Sequence, residues 1–322
     1  MMNSTREVRE ARTRVIRLHT RWAYAMAPLL VFAMLGLVAP DGAAGADDPD
    51  PRSVAGLLSR WHAADLGLAD GDAVGQWRDS VSGVTLAQGA TSQRPRFISA
   101  VPELGGAPAV AFDRASASSL VALASSGQVP AGYLGGVPGV SVFVVMVTPP
   151  KIGTTLTSFF ASVGNATSPA RVLTQVTSVA QASVAGRRLD GDSFLTLTGT
   201  ASKVQSGAAY VSGGVLDYEH AQAAQFLNGT QVLSGRFGTA GLTSSDGSQR
   251  VDLGVNGSDG NVFEGQVAEV LVYSRALSAA DRAALSRYFQ NAYGIAMTDA
   301  GSAPPPTTTT TPTSTTTATA TT

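Results

Sequence analysis

From Asp50 onward the apolar positions fall into short runs broken by Gly, Asn, Asp and Ser, a pattern of strands and turns. Val140 to Val147 is apolar almost throughout and reads as a buried strand, stopped by Pro149-Pro150. Phe194 to Thr198 alternates, as a half-exposed strand does. Ala224–Leu227 and Thr230–Leu233 flank Asn228-Gly229, the dipeptide favoured by a type I′ hairpin turn, where both central residues need positive φ. Val267 to Tyr273 is a further apolar strand. Strands this closely spaced, with no helix between them, predict an antiparallel sandwich rather than a parallel α/β sheet. The one predicted helix comes last. Ser278 and Asp281 form a capping box, Leu285, Tyr288, Phe289 and Ala292 recur on one face, and Gly294 stops the run. It is expected to pack on the edge or back of the sheet.

The two termini follow other rules. Six Arg between Arg6 and Arg21 precede an apolar stretch from Trp22 to Ala39, and Ala44-Gly45-Ala46 follows. That order is the signature of an export segment over residues 1–46, either cleaved near Ala46 or kept as an anchor. Either way the rest of the chain is expected outside the cytoplasm. Pro304 to Thr322 holds 12 Thr and 4 Pro and cannot build a core, so residues 298–322 read as a solvated linker or stalk. What remains is one large body over residues 52–297.

Composition narrows the chemistry. Beyond the export segment 16 basic residues face 20 acidic ones, a net charge of about −4, and only two Lys occur. This balance argues against nucleic acid, whose phosphates need clustered cations, and provides no polybasic surface for a membrane. The absence of Cys excludes disulfides, thiolate nucleophiles and zinc–thiolate sites.

Several segments then resemble, in order, the bacterial LamG-like jelly-roll domains of the concanavalin A-like lectin/glucanase superfamily. They are Trp61-His62-Ala63-Ala64-Asp65, the stretch Asp70 to Gly83, Arg94-Pro95-Arg96-Phe97, Pro108 to Asp113, Asn228-Gly229-Thr230, Asp252-Leu253-Gly254 and Phe263 to Ser278. The resemblance spans about residues 52–297. It implies an all-β antiparallel jelly-roll β-sandwich with one C-terminal amphipathic helix, and an extracellular module of the kind that binds sugars or proteins. Trp61 and Trp77 lie where such domains use them in the core.

Candidate chemistry is sparse. Glucanases of this fold carry Glu-x-Asp-x-x-Glu; the nearest stretch here is Asp217-Tyr218-Glu219-His220-Ala221-Gln222, whose last position cannot serve as a general acid. Asp217, Tyr218 and Glu219 are therefore candidate ligand contacts, alongside the plainer expectation of a solvated loop. Tyr218, in a turn, is expected to be exposed. His62 and His220 are the only His after the export segment, and no Gly-x-Ser-x-Gly elbow or zinc spacing occurs. Calcium is the one metal with plausible hard ligands, at Asp70/Asp72, Asp190/Asp192 or Asp259, although Asp-Gly is also what a β-turn prefers. Asn165, Asn228 and Asn256 match the glycosylation acceptor pattern, which turn preference also explains. The functional expectation is a non-catalytic module recognising an extracellular polysaccharide or a surface protein. A degenerate glycoside hydrolase or lyase and a structural surface spacer are the alternatives.

Overall fold

The computed structural model describes residues 49–123, 126–152, 157–163, 170–244, 250–255 and 262–300. Residues 1–46, expected to be an export segment, the Thr/Pro-rich residues from 301 on, Asp259, Asn165 and Asn256 lie outside the described residues.

Sixteen described strands form two eight-stranded antiparallel sheets, a jelly-roll β-sandwich. The first sheet contains β1 (Leu57–His62), β4 (Arg96–Ile98), β5 (Ala109–Phe112), β7 (Gly139–Val147), β12 (Ala209–Asp217), β13 (Gln222–Leu227), β14 (Thr230–Arg236) and β16 (Gly265–Tyr273). Its order is β14-β13-β12-β7-β16-β5-β4, and β1 shares the free side of β16 with β5. The second contains β2 (Gln76–Arg78), β3 (Thr85–Ala87), β6 (Leu120–Leu123), β8 (Thr157–Val163), β9 (Ala170–Val176), β10 (Ala182–Gly186), β11 (Leu195–Leu197) and β15 (Arg250–Leu253). Its order is β11-β10-β9-β8-β15-β6-β3-β2.

Alternation decides what lies between the sheets. Val140, Val142, Val144 and Met146 of β7 face inward with Val267, Val270 and Val272 of β16, against Val172 and Val176 of β9, Val184 of β10, and Val251 and Leu253 of β15. Trp61 and Trp77 are fully enclosed in this layer. The opposite positions of β7 and β16 (Phe143, Val145, Leu271, Tyr273) are just as apolar, so the strands read as continuous apolar runs. A second layer is needed to cover them.

That layer is α1 (Ala279–Tyr293), on the outer face of the first sheet. The capping box is formed as expected, with Ser278 Oγ accepting from Asp281 N–H and Asp281 accepting from Ser278 N–H, and Gly294 closes the helix in the left-handed conformation. Leu285 and Phe289 are buried, but Ala292 is exposed and Tyr293 takes its place. The reason is polar: Glu269 of β16 is fully buried beneath the helix, and it accepts from Tyr293 Oη at 2.9 Å and from Tyr288 Oη at 3.0 Å. Arg60 of β1 completes the cluster, with Nε 2.6 Å from Glu269 Oε1. After the helix the chain stays docked through Ala300. Thr298 N–H donates to Asn228 O, and Arg287 donates to Ala300 O. No helix among the described residues is long and apolar enough to cross a membrane.

Candidate functional site

The predicted β13–β14 hairpin is present, with Asn228 and Gly229 at φ 47° and 81°. The other hairpin, β12–β13, positions Asp217, Tyr218 and Glu219. Alternation continues past the end of β12, so Tyr218 follows Leu216 to the inner face, while Asp217 and Glu219 point away. Tyr218 is therefore buried at 1% exposure, contrary to its expected exposure. Its hydroxyl donates to Arg171 O of β9, and lies 3.3 Å from Arg187 O beyond β10, so it joins the two sheets. Burial pushes the phenol pKa up, with Arg171 pulling modestly the other way. Gly186 makes the approach possible, because a Cβ there would stand 2.3 Å from Arg171 O and 2.9 Å from the Tyr218 hydroxyl.

Asp217 and Glu219 sit at the hairpin tip rather than in a cleft. Asp217 accepts from His220 N–H at 3.0 Å and is 2.9 Å from His220 Nδ1, and that bond raises the imidazole pKa. Glu219 is exposed. Among the described residues no second carboxylate faces Asp217 across a groove in the way glycoside hydrolysis requires.

Of the five Asp considered for calcium, the four described ones are divided between opposite edges of the sandwich. Asp70 and Asp72 belong to a loop tied to β4. Asp70 accepts from Ser99 N–H at 2.8 Å, Asp72 accepts from Ala69 N–H at 2.9 Å, and Gly71 N–H donates to Phe97 O. Asp190 and Asp192 lie in the β10–β11 loop near β14. Asp190 bridges Arg171 at 2.8 Å and Arg187 at 3.0 Å. Asp192 accepts from Leu189 N–H at 3.2 Å and lies 3.5 Å from Arg188 Nε. Calcium takes six to eight oxygens, whereas the Asp190/Asp192 carboxylates are answered by guanidinium and amide donors. That donor set does not fit the ion. Among the described residues no three His, Asp or Glu side chains converge to hold a metal.

What the loops build instead is a groove. The β10–β11 loop and the chain after β14 meet along the side of the sandwich, where β11 and β14 are the edge strands of their sheets. Asp192, Ser193, Leu195, Arg236, Gly238 and Thr239 line an opening of about 450 Å³, within the range of roughly 300–1,000 Å³ usual for small-ligand sites. Its walls are tied down from behind. Arg188 donates to Thr239 Oγ1 at 3.0 Å and to Leu242 O at 3.1 Å. Gly241 N–H donates to Tyr218 O, Phe237 N–H donates to Ala221 O, and the Tyr218 and Phe237 rings are 6.3 Å apart. Thr243, buried, donates to Leu134 O at 2.7 Å and accepts from Val137 N–H at 3.0 Å.

Asp192 is thus the one sequence candidate that lines the groove. Ser193, Arg236 and Thr239 escaped the sequence reading, since the groove joins positions more than forty residues apart and no local motif marks them. Tyr133, which could otherwise offer a stacking face to a sugar, is buried, and Tyr210 Oη accepts from Gln205 N–H.

No protein-family model and no curated protein matches the chain. Among solved structures, it is similar to domain 4 of an extracellular arabinanase from Geobacillus stearothermophilus in complex with arabinotriose, at 16% identity and a TM-score of 0.42, covering 70% of this chain and 96% of that one. It is also similar to the binding domain of Paraclostridial Mosquitocidal Protein 1, at 9% identity and a TM-score of 0.49, covering 75% of this chain and 53% of that one. A carbohydrate-binding module of a Ruminococcus gnavus sialidase, bound to α2,3-sialyllactose, shares 22% identity at a TM-score of 0.37, covering 47% of this chain and 83% of that one. None of these three likenesses assigns an activity.

Proposed function

We propose that the protein is an exported, LamG-like recognition module that takes an extracellular glycan in the groove between the β10–β11 loop and the end of β14. The observation that carries this reading is the groove itself. Hydroxyl, carboxylate and guanidinium groups line an opening large enough for a sugar unit, and the walls behind them are fixed by Arg188, Tyr218 and Thr243. A rigid wall lowers the ordering cost of binding, and adjacent hydroxyl and charged groups are what saccharide hydroxyls pair with. The groove holds a single carboxylate, so the reading is one of binding rather than of bond cleavage. The position also suits display. Thr298 is held at the Asn228-Gly229 turn, and Arg236 ends the same seven-residue strand, about 20 Å away at strand rise. The groove thus lies at the far end of that strand from Thr298.

The test is a polysaccharide pull-down with the exported full chain and with Ser193→Trp. Ser193 is exposed, so the indole fills the groove without disturbing the core. Retention on one glycan class by the parent and loss in the variant is expected. Equal retention by both would place binding elsewhere and contradict the assignment, and soluble sugar released from the bound polymer would contradict the non-catalytic part.

A further inference from the structure

The polar groups of the groove are matched unequally. Asp192 is answered by Leu189 N–H and by Arg188, so its charge is offset within the wall. Thr239 Oγ1 accepts from Arg188, which leaves its own O–H free to donate outward. Ser193 is exposed, and its hydroxyl has no hydrogen-bond partner among the described residues. Arg236 is the remaining charge. Its guanidinium is exposed and has no hydrogen-bond or ion-pair partner among the described residues, and its strand neighbour on β13 is the neutral Gln222. Asp217, one strand further on, is engaged by His220, and Glu219 stands at the hairpin tip.

The groove therefore presents a free planar cation and two free hydroxyl donors, with its only carboxylate already neutralised. We infer that its ligand carries an anionic group, a carboxylate or sulfate on the sugar, which Arg236 receives through paired N–H donors while Thr239 and Ser193 donate to the same or a neighbouring oxygen. Guanidinium geometry matches such two-oxygen groups, and a charge-assisted pair is stronger than a neutral one. A neutral sugar would accept from Arg236 through a hydroxyl but leave its charge unpaired. The chain as a whole carries a net charge of −1, so a polyanion is not attracted by bulk charge, and any such binding has to be local.

This inference rests on the glycan reading above, and the experiment separates the two. The full chain is run in affinity gels containing polygalacturonate, dextran sulfate or unsubstituted dextran, each at low salt and at 0.5 M NaCl. Arg236→Gln, Arg236→Lys and, as a charge control at a distant exposed site, Arg52→Gln are run beside it. Retention by polygalacturonate or dextran sulfate at least tenfold above dextran is expected, and which of the two prevails tells carboxylate from sulfate. Arg236→Gln should lose at least tenfold in affinity, Arg236→Lys should keep part of it, and Arg52→Gln should match the parent. An equal loss in Arg52→Gln, or none in Arg236→Gln, would overturn the assignment of the anion to Arg236. Retention by dextran as strong as by the acidic polymers would overturn the anionic inference while leaving the glycan reading standing. Retention by none of the three would count against both.

Discussion

The Tyr218 hydroxyl donates to the Arg171 carbonyl across the interior, joining the end of β12 in one sheet to β9 in the other directly behind the groove. The bond sits in a fully enclosed place, and Gly186 leaves just enough room for it. Removing the hydroxyl alone strips a buried carbonyl of a donor, which costs about 1–3 kcal/mol. Tyr218→Phe should therefore lower stability by that amount in urea unfolding, and Gly186→Ala should destabilise at least comparably by forcing the strands apart. A Tyr218→Phe protein as stable as the parent would mean that the two sheets do not depend on this contact.

A second prediction concerns the docking of α1. Arg60, Glu269, Tyr288 and Tyr293 form a buried cluster in which each charge has its partner. Burial works against the Arg60 charge, but Glu269, together with Tyr288 and Tyr293, outweighs that and keeps the guanidinium protonated. Burial first, and Glu269 second, drive the Tyr288 and Tyr293 hydroxyls up. Glu269→Ala would leave Arg60 buried and alone, at a cost of about 3–5 kcal/mol. The double variant Arg60→Met/Glu269→Leu should recover most of that loss, measured as unfolding midpoints of the three proteins.

His220 gives a pH signature at the rim. Its pKa is raised chiefly by the hydrogen bond it donates to Asp217 and then by that carboxylate's charge. A raised folded-state pKa stabilises below the unfolded value and is lost as pH rises through the folded one. The Asp217–His220 contact should accordingly be present at acid pH and fade above about 6.5, the ordinary imidazole value. Titration of the His220 ring by NMR should give a pKa above that value, falling back to it in Asp217→Asn. An unshifted parent would contradict the pairing.

The helix start behaves oppositely. Arg275, 2.9 Å away, and the Ser278 donors hold the Asp281 carboxyl near pKa 2. A depressed carboxylate pKa contributes stability above the unfolded value that disappears as pH falls through the folded one. The cap should thus weaken between about pH 4 and pH 2. Ser278→Ala should cost about 1 kcal/mol at neutral pH, and proportionately less near pH 2, where the Asp281 half of the box is already failing.

The fold was legible because its signals are local. Asn228-Gly229 specifies a turn needing two positive φ values, Val140–Val147 can only be a buried strand, and Ser278/Asp281 starts a helix. Tyr218 was misplaced although its signal was present: it continues the inward alternation of Ser212, Gly214 and Leu216, and the turn composition around it outweighed that reading. Ala292 was misplaced because Glu269, a residue of a distant strand, draws Tyr293 inward instead. The groove had no local signature at all. Ser193 and Thr239 become neighbours only when β11 and β14 stand as adjacent edges of different sheets, and the arginines that answer Asp190 and Asp192 come from β9 and from the loop itself.

The most direct test of where this protein binds is amide chemical-shift mapping of the full chain with an oligosaccharide from whichever polymer retains it. The account predicts perturbations confined to residues 187–195 and 236–242, saturating together and absent in Ser193→Trp. Saturable shifts centred instead on the Asp70–Asp72 loop at the opposite edge, with the groove silent, would contradict it.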